Sequence, residues 1–387
     1  MASEPIKILY IIDYFHRTAG TEKHLAQLIA GLPGELFHCT VVTFDLGTNP
    51  LLDGLRARGV AVIELPVKSE YSPNAVVQAM RLWSLIRRHR YDIVQTFHQK
   101  ADSYGAIVAA LSGAAKLVSS KRDTGELRKP RHTFVNRRLK YLFDAFIAVA
   151  EEVRLAVIAN DGLPPSRVTT IYNGVDSARF CVPESSEKAE ARARLGLATD
   201  DFVIGMVAGF RPEKNHDVLF QGLLRALPAI SNLKILAIGT GPLASHYRDW
   251  IATTPLGPRT IFTGDVVDVL PYLWAMDMGC LTPGSNEGFS NAVLEQMAVG
   301  LPMVVTNVGG NAEAIIDGES GFIVPPMDVA ALCSAAIALH GDRTRAEAMG
   351  RAARERVVAR FSLHRMCAEH ANLYFSLCDR QAKVALQ

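Results

Sequence analysis

The feature that most constrains the fold of this chain is a regular alternation of strand-like and helix-like patterns. The strand-like runs are continuously apolar, which is typical of parallel strands covered on both faces. In the first half, the predicted strands are 6–13, 38–44, 60–65, 93–97, 116–120 and 146–150. Helical patterns lie between them at 21–32, 51–58 and 74–90. This alternation predicts βαβ units wound into a parallel sheet.

The alternation is interrupted once, at residues 181–201, where proline and serines precede a charged helical stretch. A second series of predicted strands then follows at 202–210, 233–239, 261–264, 278–283 and 303–306. We therefore predict an α/β protein with two Rossmann-like, doubly wound domains that face each other across a cleft. The predicted domains are residues 1–180 and 181–362, and residues 363–387 form a C-terminal helix packing back toward the first domain.

Composition places the chain among cytoplasmic proteins. No apolar run approaches the roughly 20 residues that span a bilayer. The first residues lack the apolar region of a secretion signal. The six cysteines are scattered, with no C-x-x-C pair, as expected for reduced and mostly buried thiols.

The strongest chemical signal is the segment from Glu287 to Glu295. Gly288, Phe289 and Ser290 are predicted to open a helix whose outward amides suit a phosphate or sugar hydroxyls. Glu295 lies further into that helix, where its carboxylate can accept paired hydrogen bonds from a ribose diol. A capped surface helix with solvated glutamates is the structural alternative.

A second signal follows the predicted strand at 202–208. Gly209 allows backbone to approach a ligand closely. Arg211 can grip a phosphate through its planar fork, and Lys214 adds a compact charge. Two cations at the carboxyl end of a strand suit a diphosphate leaving group, although an exposed basic loop is the structural alternative.

Three weaker signals are glycine-containing turns that follow other predicted strands. Gly20, with Thr21 as predicted N-cap, ends the loop after the first strand. Gly239 and Gly241 follow the strand at 233–239. Residues 309–313 follow the strand at 303–306. Each could be only a turn, but their recurrence at strand ends is consistent with one shared ligand.

With these motifs in this order, the chain resembles glycosyltransferase family 4, whose members are retaining enzymes with the GT-B fold. The resemblance rests on Asn173-Gly174-Val175-Asp176, the Arg211 and Lys214 segment, the Glu287 to Glu295 motif and residues 309–313. It covers nearly the whole chain and is most specific in the second half.

The resemblance implies a role for each motif. Arg211 and Lys214 are expected to bind the donor diphosphate, Glu287 the donor sugar, and Glu295 the ribose. The full set of expected donor-binding residues is Gly20, Gly209, Arg211, Lys214, Gly239, Gly241, Glu287, Gly288, Phe289, Ser290 and Glu295. We expect no metal and no other cofactor, because side chains and helix amides neutralise the leaving group.

One departure from the family pattern affects the first domain. Many members carry a histidine after the strand corresponding to 116–120, where it touches the donor sugar. Here that position reads Lys121-Arg122-Asp123, and the nearest upstream histidine is His98. The candidate catalytic residues are therefore Arg211, Lys214, Glu287, His98 and Arg122, with a purely structural role as the alternative for His98.

Residues 121–146 combine many basic side chains with interleaved apolar ones. This composition suits an anionic membrane surface or a lipid-linked acceptor. A solvated helix face is the alternative. Nucleic acid is not an expected partner, because the sequence has no recognised nucleic-acid-binding motif.

The sequence thus predicts a cytoplasmic enzyme, with peripheral association at the inner face of the membrane as a further expectation. It would transfer a sugar, with retention, from a nucleoside diphosphate sugar to an acceptor hydroxyl in cell-surface polysaccharide or glycolipid assembly. Two alternatives stay open: a nucleotide-sugar 2-epimerase on the same fold, and a non-catalytic protein that binds sugar nucleotides.

Overall fold

A computed structural model of the chain describes residues 4–15 and 19–380. The chain divides into two compact units, residues 1–174 with 363–387, and residues 175–362. Among the helices in the described ranges, none has both the length and the apolar composition needed to cross a membrane.

The described part of the first unit contains a seven-stranded parallel sheet. Its strands are β1 (Ile6–Ile12), β2 (Phe37–Thr43), β3 (Ala61–Glu64), β4 (Ile93–Phe97), β5 (Lys116–Lys121), β6 (Ala145–Ala148) and β7 (Val168–Thr170), in the order β3-β2-β1-β4-β5-β6-β7. Its first six helices are α1 (Gly20–Gly31), α2 (Pro50–Ala57), α3 (Pro73–His89), α4 (Ala106–Leu111), α5 (Pro130–Leu139) and α6 (Glu151–Asp161).

The second unit, whose residues 175–362 are all described, contains a six-stranded parallel sheet. Its strands are β8 (Phe202–Val207), β9 (Leu233–Ile238), β10 (Thr260–Gly264), β11 (Met278–Leu281), β12 (Met303–Thr306) and β13 (Gly321–Val324), in the order β10-β9-β8-β11-β12-β13. Its helices are α7 (Ser185–Arg194), α8 (His216–Ala226), α9 (Ala244–Ala252), α10 (Leu270–Ala275), α11 (Asn291–Ala298), α12 (Asn311–Ala314), α13 (Val329–Gly341) and α14 (Arg343–Arg360). The predicted α/β class with two doubly wound sheets is confirmed.

The central strands follow from their composition. In β1, Ile8 pairs with Cys39 of β2 on one side and with Ile93 of β4 on the other. Ile8, Leu9 and Ile11 are fully buried, as expected for a strand covered on both faces. The structure adds the edge strands β7 and β13, which the sequence patterns did not reveal.

The sequence predicted a division between the units after residue 180. In the structure it lies after Gly174. The reason is that residues 175–180 are held by the end of the second unit. The Val175 amide donates to the Phe361 carbonyl at 2.9 Å, and Val175 forms a bridge with Ser362. The boundary predicted from sequence composition therefore falls a few residues after the boundary between the two compact units.

The last helix, α15 (Leu363–Leu377), belongs to the first unit and packs against α1. Tyr374 is fully buried, and its hydroxyl donates to the side-chain oxygen of Gln95 at 2.6 Å. The ring of Phe375 lies 5.2 Å from that of Phe37. Aromatic burial thus anchors the end of the chain to the first sheet.

Candidate active site

In the second unit, two neighbouring strands bring the predicted donor motifs together. β8 and β11 are adjacent and parallel, so the segments that follow them emerge at the same edge of the sheet. The segment after β8 carries Arg211 and Lys214, and the segment after β11 carries Glu287. The Gly284 amide joins the two segments by donating to the Glu213 carbonyl at 3.0 Å.

Lys214 and Glu287 form a close ion pair at this edge. The Lys214 Nζ lies 2.5 Å from the Glu287 Oε2, and the two side chains are only 15% and 11% exposed. Because both charges are largely withdrawn from water, each depends on the other for compensation. An incoming anionic ligand would therefore compete with Glu287 for the ammonium group.

The backbone next to Lys214 is held in an unusual conformation. Asn215 has a φ of 48°, in the left-handed region, and separates the short helical turn at 212–214 from α8. Its carbonyl accepts a hydrogen bond from the Thr282 hydroxyl at 3.1 Å, and its side-chain amide donates to the Met327 sulfur at 3.0 Å. Asparagine tolerates this conformation better than most residues, so it can fix the direction of Lys214. The sequence analysis did not identify this role.

Arg211 is the more accessible of the two cations. Its side chain is 51% exposed, and its Nε lies 3.2 Å from the Glu213 carboxylate. A half-exposed guanidinium with a single weak ion pair can reorient toward a phosphate at little cost. The two cations thus differ, since Lys214 is fixed in place and Arg211 is adjustable.

Two glycines after β12 hold the Glu287 loop. Gly309 has a φ of 58°, and a Cβ at this position would clash with the Glu287 carbonyl. The Gly310 amide donates to the Gly288 carbonyl at 2.6 Å. Gly309 is therefore required for close backbone contact with the glutamate loop, and Gly310 holds the same loop through its backbone amide.

The helix that follows Glu287 begins later than the sequence predicted. Gly288, Phe289 and Ser290 were expected in its first turn, but α11 begins at Asn291, and Ser290 is its extended N-cap. Phe289 is 5% exposed and its ring lies 5.1 Å from that of Phe361. Burial of this ring holds Phe289 outside the helix, just before its N-cap. Glu295 consequently lies only one turn into α11, where it is 6% exposed.

The glycines after β8 and β9 have a clear packing role. Gly239 has a φ of 132°, and a Cβ there would clash with the Ala208 carbonyl. At Gly241, a Cβ would lie 2.6 Å from the Phe210 carbonyl oxygen. The Phe210 amide donates to the Thr240 carbonyl at 3.0 Å. These contacts position Gly209 and its neighbours. The donor contacts of these three glycines stay predictions.

In the first unit, the loop after β1 is only partly described, because residues 16–18 lie outside the described ranges. Gly20 is the first residue of α1. The N-cap is Ala19, with an extended backbone, and not Thr21 as predicted. Helix α1 thus begins two residues earlier than the Thr21 cap implied, and no side chain caps it.

His98 follows β4 in a strained turn. Its φ is 73°, and its ring stacks on Tyr14 with centroids 4.7 Å apart. Asp13 fixes the backbone that follows His98. Its carboxylate oxygens accept hydrogen bonds from the amides of Lys100 and Ala101 at 2.9 and 2.6 Å. Left-handed conformations of residues other than glycine are concentrated at functional sites.

Burial sets the charge states in this region. Burial, assisted by the nearby Arg122 charge, lowers the pKa of His98 to about 4, so the imidazole is neutral at physiological pH. Burial raises the pKa of Asp13 to about 7, although the two backbone hydrogen bonds oppose that shift. The Asp13 side chain was not singled out by sequence reasoning, and only its burial beside β4 reveals it.

Arg122 follows β5 and is the main cation of a buried polar cluster. Its Nη2 donates to the Asn173 side-chain oxygen at 2.8 Å, whereas its Nε is buried without a hydrogen-bond partner. Burial lowers the pKa of Arg122 to about 10 and that of His370 to about 4. The pKa of His24 is also lowered, mainly by burial. The structure thus brings Arg122 and His98 into one electrostatic neighbourhood at the carboxyl edge of the first sheet.

Part of the predicted basic surface at 121–146 is not available to a partner. Lys121 is 5% exposed and forms an ion pair with Asp102 at 2.6 Å. Arg128 forms one with Asp161 at 2.7 Å. Buried charges need such partners, so these two residues serve the fold. The exposed part of the basic surface contains Lys129, Arg131, Arg137 and Arg138, together with Leu127, Phe134 and Tyr141.

Two family models match the chain, one on each unit. The model described as Glycosyltransferase Family 4 matches residues 18–179, and the model described as Glycosyl transferases group 1 matches residues 187–356. The chain belongs to glycosyltransferase family 4. The family resemblance and the glycosyltransferase class predicted from the sequence are confirmed.

Relatives of this family 4 chain extend over nearly its full length. It is 27% identical to the GDP-mannose-dependent alpha-(1-6)-phosphatidylinositol monomannoside mannosyltransferase of Mycobacterium tuberculosis, over 94% of this chain and 97% of the relative. It is 24% identical to the UDP-Gal:alpha-D-GlcNAc-diphosphoundecaprenol alpha-1,3-galactosyltransferase of Escherichia coli, over 93% of this chain and 94% of the relative.

Solved structures share the fold of this family 4 chain. Anabaena HepE, solved in complex with UDP and glucose, is similar with a TM-score of 0.85 and 21% identity, over 96% of this chain and 100% of that chain. The GT-B assignment is thereby confirmed.

Proposed function

We propose that this chain is a retaining glycosyltransferase that moves a sugar from a nucleoside diphosphate sugar to an acceptor hydroxyl. The observation that carries the proposal is the Lys214–Glu287 pair beside the half-exposed Arg211 at the carboxyl edge of the second sheet. Two cations and one carboxylate match a ligand that combines a diphosphate with sugar hydroxyls.

The proposed mechanism assigns each group to a charge that develops during transfer. Arg211 and Lys214 stabilise the departing diphosphate, and Glu287 accepts hydrogen bonds from the donor sugar. Glu295 binds the ribose. The leaving phosphate assists deprotonation of the acceptor on the same face of the sugar, so no protein nucleophile is needed and configuration is retained. The two relatives above are both named for forming alpha linkages, which corresponds to retention when the donor sugar is itself alpha-linked to its nucleotide.

For the acceptor side, we propose His98 and Arg122 as the candidate catalytic residues of the first unit. The neutral His98 ring can hydrogen-bond a hydroxyl, and the unpaired Nε of the buried Arg122 can donate to an oxygen. The mycobacterial relative is named for a phosphatidylinositol monomannoside, and the E. coli relative for a diphosphoundecaprenol sugar. We therefore propose a cytoplasmic enzyme that glycosylates a lipid-linked acceptor at the inner face of the membrane.

The proposal is tested by combining donor binding with acceptor dependence. Thermal shift with UDP-glucose, UDP-galactose, UDP-N-acetylglucosamine and GDP-mannose identifies the donor, because a ligand that binds only the folded state raises its melting temperature. We then expect release of the nucleoside diphosphate to depend on added lipid extract. Acceptor-independent conversion into a different nucleotide sugar would instead identify a 2-epimerase, and binding without turnover a non-catalytic protein.

Metal independence remains a prediction. Among residues 4–15 and 19–380, no three His, Cys, Asp or Glu side chains come together in a way that could hold a metal ion. Because side chains and helix amides are expected to neutralise the leaving group, transfer should continue in EDTA at the rate seen without it. Loss of transfer in EDTA, with recovery on addition of manganese, would contradict this assignment.

The remaining basic surface is expected to attract anionic lipid. Arg137, Arg138 and Lys140 contribute about 1 kcal/mol each near such a surface, so replacing all three with alanine should reduce partitioning by roughly a hundredfold. Co-sedimentation with vesicles containing phosphatidylglycerol measures this effect. Nucleotide affinity should not change. If the wild-type protein does not bind these vesicles at low salt, the basic surface is a solvated helix face and not a lipid-binding site.

A further inference from the structure

Helix α3 of the first unit has an exposed apolar stripe in addition to its buried apolar face. Leu82 and Ile86 face inward and are buried, whereas Val76, Met80 and Trp83 are 62%, 59% and 43% exposed. The exposed residues recur at spacings of four and three, so they form one stripe along the outside of the helix. We call Val76, Met80 and Trp83 the α3 stripe. A helix packed on a sheet normally carries polar residues at these positions.

The α3 stripe is framed by arginines and has no carboxylate beside it in sequence. Arg81, Arg87 and Arg88 lie in the same helix, and residues 71–91 contain neither Asp nor Glu. The Arg87 guanidinium lies 5.5 Å from the centre of the Trp83 ring. Tryptophan and arginine together are typical of helices that lie at the boundary between lipid headgroups and acyl chains.

Neighbouring segments extend this apolar surface. Helix α4 packs against α3 and exposes Ile107 and Leu111, which are 40% and 75% accessible. The same helix also packs against residues 140–142, which follow α5. Tyr71, just before α3, is 90% exposed. Helix α4, with its own exposed apolar side chains, thus lies between α3 and the segment that follows α5.

We infer that the α3 stripe inserts into the headgroup–acyl boundary of an anionic lipid bilayer, while the α3 arginines contact lipid phosphates. Charge favours this partner over a second copy of the chain. Two α3 surfaces placed face to face would bring arginine against arginine without a carboxylate, whereas anionic lipid neutralises them. The inference extends the peripheral association proposed above from an electrostatic contact to an inserted helix face.

Tryptophan fluorescence tests the insertion directly. The chain has three tryptophans, so W250F/W274F leaves Trp83 as the only one. With vesicles of phosphatidylcholine and phosphatidylglycerol, we expect Trp83 emission to move to shorter wavelength. We also expect quenching by lipids brominated on their acyl chains. Co-sedimentation of this variant without either change would overturn the inference, as would a failure to bind at all.

A second measurement separates the α3 stripe from the basic segment. V76S/M80S/W83S should lower vesicle partitioning by about tenfold or more, including at high salt, because apolar insertion is not screened. Arg137→Ala with Arg138→Ala and Lys140→Ala should lower it mainly at low salt. V182S/V358S, which removes two exposed valines from the second unit, should bind as wild type does.

The same variants distinguish lipid binding from self-association and from sugar transfer. Unchanged vesicle binding by V76S/M80S/W83S, with a shift from dimer to monomer in sedimentation velocity, would overturn the inference in favour of an interface between copies. Binding is read without substrate, so it does not depend on the proposed reaction. Transfer to the acceptor in lipid extract dispersed in detergent should be the same in V76S/M80S/W83S and wild type. Absence of transfer in both would instead contradict the proposed function.

Discussion

Replacing Lys214 with alanine is expected to lower turnover by roughly a hundredfold or more, since the lost charge stabilises a leaving group whose own charge grows. The structure adds a second reason. Without Lys214, the Glu287 carboxylate, 11% exposed, is left without its cation. An unpaired buried carboxylate would repel the diphosphate in addition to losing the attraction. Turnover is measured as release of the nucleoside diphosphate.

Arg211→Ala should also lower turnover by roughly a hundredfold, but only because it removes a charge that stabilises the leaving group. Arg211 is half exposed and only weakly paired, so its loss should leave the melting temperature near that of wild type. Arg225→Ala is a matched control, because Arg225 is an exposed arginine at the opposite end of α8 from the site. Wild-type turnover in Lys214→Ala or Arg211→Ala would contradict the diphosphate assignment.

Replacing Glu287 and Glu295 with glutamine is expected to change different kinetic constants. The donor sugar changes shape and charge in the transition state, whereas the ribose does not. Losing a contact that is equal in both states weakens binding, and losing one specific to the transition state lowers turnover. Glu287→Gln should therefore mainly lower turnover, and Glu295→Gln should mainly raise the donor KM.

Calorimetry with the free nucleoside diphosphate provides the matching measurement. Glu295→Gln should weaken this binding, because the ribose contact is lost. Glu287→Gln should bind it as well as wild type or better, since Lys214 is released from its ion pair and the ligand has no sugar for Glu287 to hold. The opposite pattern would mean that the donor lies in the reverse orientation along the site.

The fold could be predicted from the sequence because buried parallel strands are largely apolar throughout, and this signal is strong in β1, β6 and β8. The edge strand β7 was not predicted, because Val168–Thr170 is only three residues long and two of them are threonines. The edge strand β13 was also missed, although at four residues it is as long as β12. The start of α11 depends on tertiary packing, since Phe289 packs against Phe361 and Ser290 is the extended N-cap.

The candidate site was predictable to a different extent in the two units. Arg211, Lys214 and Glu287 lie directly after strands, so topology alone places them at one edge. The environment of His98 was not predictable. It depends on Asp13, which is far away in sequence, contacting the backbone two and three residues after His98. Lys121 was misassigned to a surface because its partner Asp102 becomes visible only once β4 and β5 pair.

The central claim is that this enzyme transfers a sugar with retention, and proton NMR of the first-formed product tests it most directly. The donor is the nucleotide sugar that gives the largest thermal shift, and spectra are recorded on the isolated glycoside, whose new linkage keeps its anomeric configuration. We predict an anomeric coupling constant that matches the configuration of the donor, together with strict dependence on acceptor. A product of opposite anomeric configuration would contradict the proposed mechanism.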